Sequence, residues 1–489
     1  MVRDLLKEPA WDKSELGFPL PDSKHAVSVA LPRWADIIAY EEKDPKCIDY
    51  LQSIYPRFGL NPLLKTLEKE IFSEDFLKIN KVWPYPNNSQ ALKAKNYCDK
   101  NTNPGKSFIQ KKRNLTFLIT NGEASEYGRI FWQHTGLGAS SREAEISLNP
   151  SYKPSKHLVK ESHFKILQRI SKYTNSKSDI ICLTSSGMSA LHTALEIIYK
   201  VFPHRPTLQI GFPYVDVLKL PKNIFYGANL IIEDDYENLE KEIVKYNPSA
   251  LIIELPSNPL LKCVNIQRIA AVGKKFNIPI ITDDTIGSNV NINSVQHSDL
   301  VFSSLTKIFS GSGDILAGSL VINSKGKWFN EFKNVIKNLD IPKLSDGDIV
   351  SLERASINFE DRVFRQNNSC LDLKKRLANH KSIKKIYHPE SCPNFNSILR
   401  KGGGYGCLLS FEVEGGLEKV KRFYDSLKIS KGPSLGTKFT LVCPYVQLAH
   451  YKELEWAETF GVPPYLIRVS VGLENIEYLW EIFSNALDN

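Results

Sequence analysis

Short apolar runs alternate with amphipathic stretches through the middle of the chain, from about residue 176 to residue 326. The runs are rich in Ile, Leu and Val and end at polar or small residues, which is typical of buried strands. The stretches between them repeat apolar residues at helical spacing. This alternation predicts a mainly parallel, helix-covered sheet whose ligand lies at the strand ends. The predicted strands lie near residues 180–183, 207–211, 229–232, 250–255, 278–282, 299–302 and 316–322.

A different pattern begins after residue 326. Charged stretches predict helices over 349–381 and 418–426, and a final helix begins at Ile476. Two further strands are predicted at 406–412 and 466–470. We therefore expect a large domain over residues 176–326 and a smaller C-terminal α/β domain over residues 327–489.

The N-terminal third is rich in Pro, Asn and Lys. Helical patterns appear at 63–72 and 164–173, whereas the Pro- and Asn-rich segment 83–89 is predicted to be a loop. Because loops dominate this region, we interpret residues 1–175 as an arm and insertion rather than as an independent domain.

Composition excludes several classes of function. The 489 residues are 42% hydrophobic, which allows a sizeable core, and the net charge of +9 is spread along the chain. The basic run at 110–113 is predicted to be a solvated loop rather than a nucleic-acid surface. We expect neither a membrane span nor a secretion signal, because no apolar stretch approaches membrane length and the first residues lack an apolar core.

The eight cysteines lack metal-type spacing, which favours reduced thiols and no metal site. We expect a cytoplasmic protein that acts on small molecules, without a nucleic-acid or membrane partner.

The most informative lysine is Lys307, which follows the strand pattern at 299–302 within Ser303-Ser-Leu-Thr-Lys307. A lysine at a strand end, flanked by hydroxyls, is where pyridoxal phosphate would be attached as a Schiff base. Taken alone, a solvated lysine is the ordinary interpretation. The catalytic interpretation gains weight because other segments supply the remaining parts of such a site.

The segment Leu183-Thr-Ser-Ser-Gly-Met188 ends one strand pattern and opens a helix. Free N–H groups at a helix start suit a phosphate, and a glycine lets the chain approach it closely, so Ser186, Gly187 and Met188 are candidate phosphate ligands. Ser304 and Thr306 would add hydroxyl donors. The alternative is an ordinary serine N-cap.

Two further strand ends carry polar side chains. A carboxylate in Thr282-Asp-Asp-Thr285 could keep the cofactor's pyridine nitrogen protonated, and by chemistry alone either Asp283 or Asp284 could serve. Asn258, in Glu254-Leu-Pro-Ser-Asn-Pro259, could donate to the cofactor's phenolic oxygen. Turn or capping roles are the alternatives for both segments.

From about residue 178 onward these motifs resemble the Cys/Met-metabolism family of pyridoxal-phosphate enzymes, and within it cystathionine γ-synthases. Segments such as Trp132-Gln-His-Thr-Gly136 resemble the extended N-terminus of fungal proteins of this kind. The resemblance implies the aspartate-aminotransferase-like α/β fold, fold type I, with a mainly parallel large domain and a smaller C-terminal domain. It also implies a homodimer or homotetramer.

The resemblance further implies roles for individual residues. Lys307 would bind the cofactor covalently, and Asp283 would pair with the ring nitrogen. Tyr214, in Gly211-Phe-Pro-Tyr-Val215, would stack on the ring and assist proton transfer. Arg468 would clamp the substrate carboxylate, for which a planar guanidinium is suited, and Ser434 would lie near the lysine.

The family also has a Tyr-x-Arg arm that reaches the cofactor phosphate of the neighbouring subunit. Two segments are candidates for it: Tyr55-Pro-Arg57, which lies 132 positions before Gly187, and Ser140-Ser-Arg142, which lies closer. We expect Arg142 slightly ahead of Arg57, with the arm crossing a subunit interface.

The implied reaction is a γ-replacement that joins an O-acylhomoserine with L-cysteine to give cystathionine, a step of transsulfuration and methionine biosynthesis. The residues do not distinguish O-acetyl- from O-succinylhomoserine. Related outcomes remain open: a sulfhydrylase, a γ-lyase, a carbon–carbon bond-forming relative, or a degenerate, non-catalytic paralogue.

Overall fold

The N-terminal part folds as helices around a small antiparallel sheet in the computed structural model, which describes residues 2–103, 105–232 and 236–489. The sheet order is β1-β3-β2. The elements are α1 (Trp34–Glu42), α2 (Pro45–Ile48), α3 (Pro62–Ile71), α4 (Glu74–Ile79), β1 (Lys81–Tyr85), α5 (Asn88–Asn101), β2 (Ser107–Lys112), β3 (Leu115–Thr120), α6 (Ala124–Thr135), α7 (Ser141–Leu148) and α8 (Lys156–Thr174).

Two loop predictions in this part are wrong. The segment 83–89 contains the end of β1 and the start of α5, and the basic run at 110–113 lies largely in β2. Both strands are at the edges of their sheet, where a proline such as Pro84 is tolerated and exposed lysines are common. The helices predicted at 63–72 and 164–173 are confirmed as α3 and as part of α8.

A seven-stranded sheet forms the centre of the molecule, in the order β4-β10-β9-β8-β7-β5-β6. Strand β10 runs antiparallel to both of its neighbours, β4 and β9, and the other four pairings in this sheet are parallel. All seven predicted strands are therefore confirmed. The elements are β4 (Ile181–Thr184), α9 (Gly187–Val201), β5 (Thr207–Ile210), α10 (Val215–Ile224), β6 (Ala228–Ile231), α11 (Tyr236–Tyr246), β7 (Leu251–Glu254), α12 (Ile266–Phe276), β8 (Ile280–Asp283), β9 (Leu300–Ser303) and β10 (Gly318–Ile322).

The C-terminal part contains a four-stranded antiparallel sheet, ordered β11-β12-β14-β13. The elements are α13 (Phe329–Lys337), α14 (Asp346–Ala355), α15 (Phe359–Ala378), β11 (Ile383–Tyr387), α16 (Pro393–Asn396), β12 (Leu408–Val413), α17 (Gly416–Ser426), β13 (Leu441–Pro444), α18 (Tyr445–Ala449), α19 (Leu454–Thr459), β14 (Ile467–Ser470) and α20 (Ile476–Asp488).

The single helix predicted over 349–381 is wrong, because α14 and α15 are separated after Ala355. There the Ser356 hydroxyl donates to the Leu352 carbonyl and accepts from Arg169, which holds the turn in place. Local hydrogen bonds of this kind compete with helix continuation. The strands β12 and β14 were predicted, whereas β11 and β13, the two edge strands, were missed.

The N-terminal segment packs directly on the C-terminal part. Trp34 and Ile37 of α1 belong to the same buried core as Phe423 and Phe483. Beside it, Lys431 donates through Nζ to the Pro32 carbonyl at 2.8 Å. This packing brings α1 and the loop after it to the edge of the central sheet. Within the described ranges, no helix is both long and apolar enough to cross a membrane.

Candidate active site

A cavity lies where the N-terminal part, the carboxyl ends of the central strands and the C-terminal sheet meet. Parallel strands place their carboxyl ends along one edge, so polar residues that follow different strands converge there. The residues that line the cavity include Glu41, Tyr55, Arg57, Ser186, Gly187, Met188, Tyr214, Asp216, Lys219, Glu254, Asn258, Asp283, Ser304, Lys307, Tyr445, Leu448, Ala449 and Arg468.

Lys307 lies one turn beyond the end of β9. Its Nζ donates to Ser434 Oγ at 3.0 Å and lies 4.4 Å from the centre of the Tyr55 ring. Burial lowers the pKa of Lys307, and the positive charges of Arg468 and Arg57 act in the same direction against the opposing effect of Tyr55. The shift increases the share of the neutral amine, which is the nucleophilic and basic form.

The start of α9 lines the same cavity as Lys307. Ser186 caps the helix by accepting from the Ser189 N–H at 3.0 Å, and the helix begins at Gly187. The first N–H groups of a helix have no carbonyl within the helix to bond, so they are free for an anion. A Cβ on Gly187 would lie 2.6 Å from the Ser304 Cβ, so only glycine permits this close approach.

Two carboxylates meet at the ends of β7 and β8. Glu254 and Asp283 are register partners in adjacent parallel strands, and both are buried. Burial raises the pKa of Asp283 to about 7, and burial together with the Asp283 charge raises the pKa of Glu254 further above its usual range. Asp283 accepts from the Thr285 N–H at 2.9 Å, and Glu254 accepts from the Tyr214 N–H at 2.8 Å.

Asp284 points elsewhere. It does not line the cavity, and its Oδ2 accepts from the Ser294 hydroxyl at 2.8 Å. Of the two aspartates that the sequence left open on chemistry alone, the structure brings Asp283 to the cavity.

The C-terminal sheet presents Arg468 from the middle of β14. The guanidinium is 2% exposed and donates to the Pro433 carbonyl at 2.8 Å and the Ser434 carbonyl at 3.0 Å. It also stacks 4.5 Å from the centre of the Tyr445 ring. Tyr445 in turn accepts a hydrogen bond from Asn258 Nδ2 at 3.2 Å. Asn258 and Arg468 are therefore held on the same side of the cavity.

Tyr214 belongs to a network with Arg57 and Asp216. Arg57 donates to the Tyr214 hydroxyl at 2.9 Å and to Asp216 Oδ2 at 2.7 Å. His134 Nδ1 lies 3.0 Å from the other Asp216 oxygen. Burial opposes the charge of Asp216, but Arg57 and His134 outweigh it and lower the pKa of this carboxyl. Arg57 has φ of +91°, a left-handed conformation that is costly for a residue with a Cβ.

The structure does not bring Arg142 or Thr306 to the cavity. Arg142 pairs with Asp314 at 3.2 Å and Asp348 at 3.1 Å, so its charge is matched elsewhere. The Thr306 hydroxyl accepts from the Ala317 N–H at 2.9 Å and donates to the Ala317 carbonyl at 3.2 Å. The preference for Arg142 over Arg57 is therefore corrected: Tyr55 and Arg57 enter the cavity of their own chain.

Several residues of the site were missed in the sequence. His134 and Glu254 lie within motifs quoted above, but the motifs did not reveal that their side chains face this site. Asp216 follows Tyr214 by two positions, the spacing that puts a helix-start side chain near its N-cap residue. Glu41 carried no sequence signal.

The residues fit pyridoxal phosphate. A buried amine, a helix start with the Ser304 hydroxyl beside it, and a carboxylate of raised pKa supply partners for an aldehyde, a phosphate and a pyridinium. This site, on a mainly parallel sheet with a C-terminal antiparallel sheet beside it, defines a pyridoxal-phosphate enzyme of fold type I.

The chain belongs to the Cys/Met metabolism PLP-dependent enzyme family, whose model matches residues 163–488. It is 26% identical to cystathionine gamma-synthase of Neurospora crassa, over 97% of this chain and 98% of that protein. The Saccharomyces cerevisiae cystathionine gamma-synthase is 27% identical, over 96% of this chain and 98% of that one.

Among solved structures, cystathionine gamma synthase of Xanthomonas oryzae pv. oryzae shares the fold with a TM-score of 0.60. The identity is 21%, and the match covers 67% of this chain and 85% of that one. Relatives described as other kinds of enzyme occur at similar sequence identity. An L-2-amino-4-chloropent-4-enoate dechlorinase/desaturase of Streptantibioticus cattleyicolor is 26% identical, over 96% of this chain and 97% of that protein.

Proposed function

We propose that the protein catalyses a γ-replacement that joins an O-acylhomoserine with L-cysteine to form cystathionine. The carbon–oxygen bond at the γ-carbon breaks, a carbon–sulfur bond forms, and the carboxylate of the acyl group leaves with the thiol proton. One observation carries the proposal: an amine, a buried carboxylate and a buried guanidinium, Lys307, Asp283 and Arg468, line one cavity. The full-length similarity to two cystathionine gamma-synthases supports it.

The residues that would hold the cofactor lie on the sheet side of the cavity. Ser186, Gly187, Met188 and Ser304 would bind the phosphate, and Asp283 would bind the pyridine nitrogen. Asn258 would contact the phenolic oxygen, and Tyr214 would pack on the ring. When bound, pyridoxal phosphate supplies an electron sink that stabilises negative charge on the substrate's α-carbon.

Lys307 would move the protons. Its lowered pKa makes the neutral amine easier to form, and in that form Nζ can accept the α-proton of the substrate and then a β-proton. Ser434 accepts a hydrogen bond from the same nitrogen and orients it. Tyr55 lies against Nζ, and although burial alone would raise its pKa, Lys307 and Arg57 lower it, so this phenol can share the proton.

Arg468 would orient the substrate. A carboxylate accepts two parallel hydrogen bonds from a guanidinium, and this pairing fixes the α-carbon relative to Lys307. Tyr445 and the carbonyls of Pro433 and Ser434 hold the guanidinium in place before the substrate arrives. Such preorganisation reduces the entropy cost of binding.

A second candidate is a relative of this reaction with another outcome, favoured by the dechlorinase/desaturase among similar proteins. The same residues could support elimination, or addition of sulfide or a carbon nucleophile. A non-catalytic paralogue is disfavoured because Lys307, Asp283 and Arg468 are all brought together.

Product analysis separates these candidates. Purified protein, loaded with pyridoxal phosphate, is incubated with O-acetyl- or O-succinylhomoserine, with and without L-cysteine, and the products are analysed by mass spectrometry. We expect cystathionine with at least one donor. If only 2-oxobutanoate forms, whether or not cysteine is added, the protein catalyses elimination as a lyase and the proposal is wrong.

A further inference from the structure

Glu41 differs from every other charged residue on the cavity wall. The other seven have partners: Arg57 with Asp216, Lys219 with Glu453, Lys307 with Ser434, Arg468 with two carbonyls, and Glu254 and Asp283 with backbone N–H groups. The Glu41 carboxylate forms neither a hydrogen bond nor an ion pair with any residue in the described part of the chain.

The position of Glu41 is unfavourable for a negative charge. It lies in the last turn of α1, where the helix dipole already places partial negative charge. The residue is half-buried, and burial raises the pKa of its carboxyl to about 7 against the opposing charges of Lys43 and Lys452. An unpaired carboxylate in such a place is stabilised by a cation from outside the chain.

Glu41 lies apart from the residues proposed for the cofactor. Its helix packs against α18, whose Leu448 and Ala449 also line the cavity, whereas the cofactor residues follow β4, β7, β8 and β9. The α-carboxylate of the donor is assigned to Arg468. A group bound at Glu41 therefore belongs to the second reactant.

We propose that Glu41 binds the ammonium group of an amino-acid acceptor, and thereby selects a zwitterionic thiol such as cysteine over sulfide or a thiol without an amine. The inference rests on the proposed function, since it names the acceptor class of that reaction. A charge-assisted hydrogen bond to a partly desolvated carboxylate provides the discrimination.

The first test compares two acceptors that differ in the ammonium group, L-cysteine and 3-mercaptopropionate. In Glu41→Gln we expect the KM for L-cysteine to rise roughly tenfold or more, as expected for loss of a charge-assisted hydrogen bond. The KM for 3-mercaptopropionate and for the acylhomoserine should change less than about twofold. Equal effects on both acceptors, or none on cysteine, would overturn the assignment.

The matched control is Glu42→Gln. Glu42 is the next residue of the same helix, but it is exposed and does not line the cavity; its carboxylate accepts from the Tyr451 hydroxyl at 2.5 Å. This variant should leave both Michaelis constants unchanged. An equal rise in the KM for cysteine in Glu42→Gln would show a general surface effect and remove Glu41 from the site.

The second test measures binding without turnover. Holoenzyme reduced with borohydride is titrated calorimetrically with S-methyl-L-cysteine and with 3-(methylthio)propionate. Glu41→Gln should weaken the first by about tenfold and leave the second unchanged. If the protein joins no thiol to any donor but Glu41→Gln still weakens only S-methyl-L-cysteine, the proposed function is wrong and the assignment of Glu41 is supported. If cystathionine forms but Glu41→Gln binds both ligands as wild type does, the assignment of Glu41 is wrong and the proposed function is unaffected.

Discussion

At the scale of single residues, the cavity contains two neighbouring carboxyl groups that are not expected to be charged at the same time. Glu254 and Asp283 lie side by side at the strand ends, and two buried carboxylates in register resist simultaneous ionisation. Glu254 accepts from two backbone N–H groups, those of Tyr214 and Asn258, on one oxygen. Asp283 accepts from one, that of Thr285, which leaves more of its hydrogen-bonding capacity for a cation in the cavity.

Replacing Asp283 with Asn should lower kcat about a hundredfold or more while cofactor remains bound, because a neutral side chain cannot keep the ring nitrogen protonated. Asp284→Asn is the matched control. It keeps an acceptor for Ser294, lies outside the cavity, and should retain most of the activity. Steady-state kinetics and the visible spectrum measure both effects. If Asp284→Asn lost nearly all activity while Asp283→Asn kept most of it, Asp284 rather than Asp283 would be assigned to the ring nitrogen.

Asp216→Asn should destabilise the protein by about 3–5 kcal/mol, because Arg57 would be left buried without its carboxylate partner. Denaturant unfolding measures the change. The control is Asp361→Asn at a largely exposed helix pair, where Asp361 and Arg365 are 3.9 Å apart and a loss under about 0.5 kcal/mol is expected. Similar losses in the two variants would contradict the structural role of Asp216.

At the scale of elements, the apolar runs of the central sheet were sufficient to predict all seven strands, since each is short and all except the edge strand β6 are largely buried. Because strand ends converge, the positions of Lys307, Asp283 and Gly187 followed from the same pattern. The position of Arg142 could not be predicted in this way. Its partners Asp314 and Asp348 lie far along the chain. Asp348 is on α14, which packs against α7, and Asp314 is in the loop between β9 and β10, so tertiary packing brings both to Arg142.

The contact between the N-terminal segment and the C-terminal part predicts a pH dependence. Burial lowers the pKa of Lys431 to about 7, whereas an unfolded lysine titrates near pH 10.4. Between these values the unfolded chain binds more protons, so stability rises with pH, by up to about 1.4 kcal/mol per unit. Relative to Lys431→Met, the wild-type free energy of unfolding should therefore increase from pH 7 to pH 9.

Lys428→Met, at an exposed position on the same segment, is the control and should show no such pH-dependent difference from wild type. Denaturant unfolding at pH 7, 8 and 9 provides the comparison. A constant difference between wild type and Lys431→Met across this range would mean that Lys431 titrates normally in the folded protein.

At the scale of the whole molecule, the N-terminal region completes the cavity within one chain. Tyr55 contacts Lys307, and Arg57 is 5% exposed between Asp216 and Tyr214 of the central part. The sequence predicts an arm that crosses a subunit interface, and distance along the chain alone cannot show which copy such a segment enters.

Mixing an Arg57→Ala variant with a Lys307→Ala variant should therefore restore no activity, even when subunits exchange. Each chain would carry one defective cavity, and no pairing of chains would assemble an intact one. Tagged subunits, recovered together and assayed, provide the measurement. Recovery of part of the wild-type activity in mixed oligomers would show that Arg57 acts across an interface.

We propose above all that this cavity binds pyridoxal phosphate through Lys307. The most direct measurement is borohydride reduction of the cofactor-loaded protein, followed by proteolysis and mass spectrometry of the peptides. We predict a pyridoxyl group on Lys307, and loss of that label together with the visible absorbance band in Lys307→Ala. A label on another lysine, or no label on a protein that demonstrably binds the cofactor, would contradict the account.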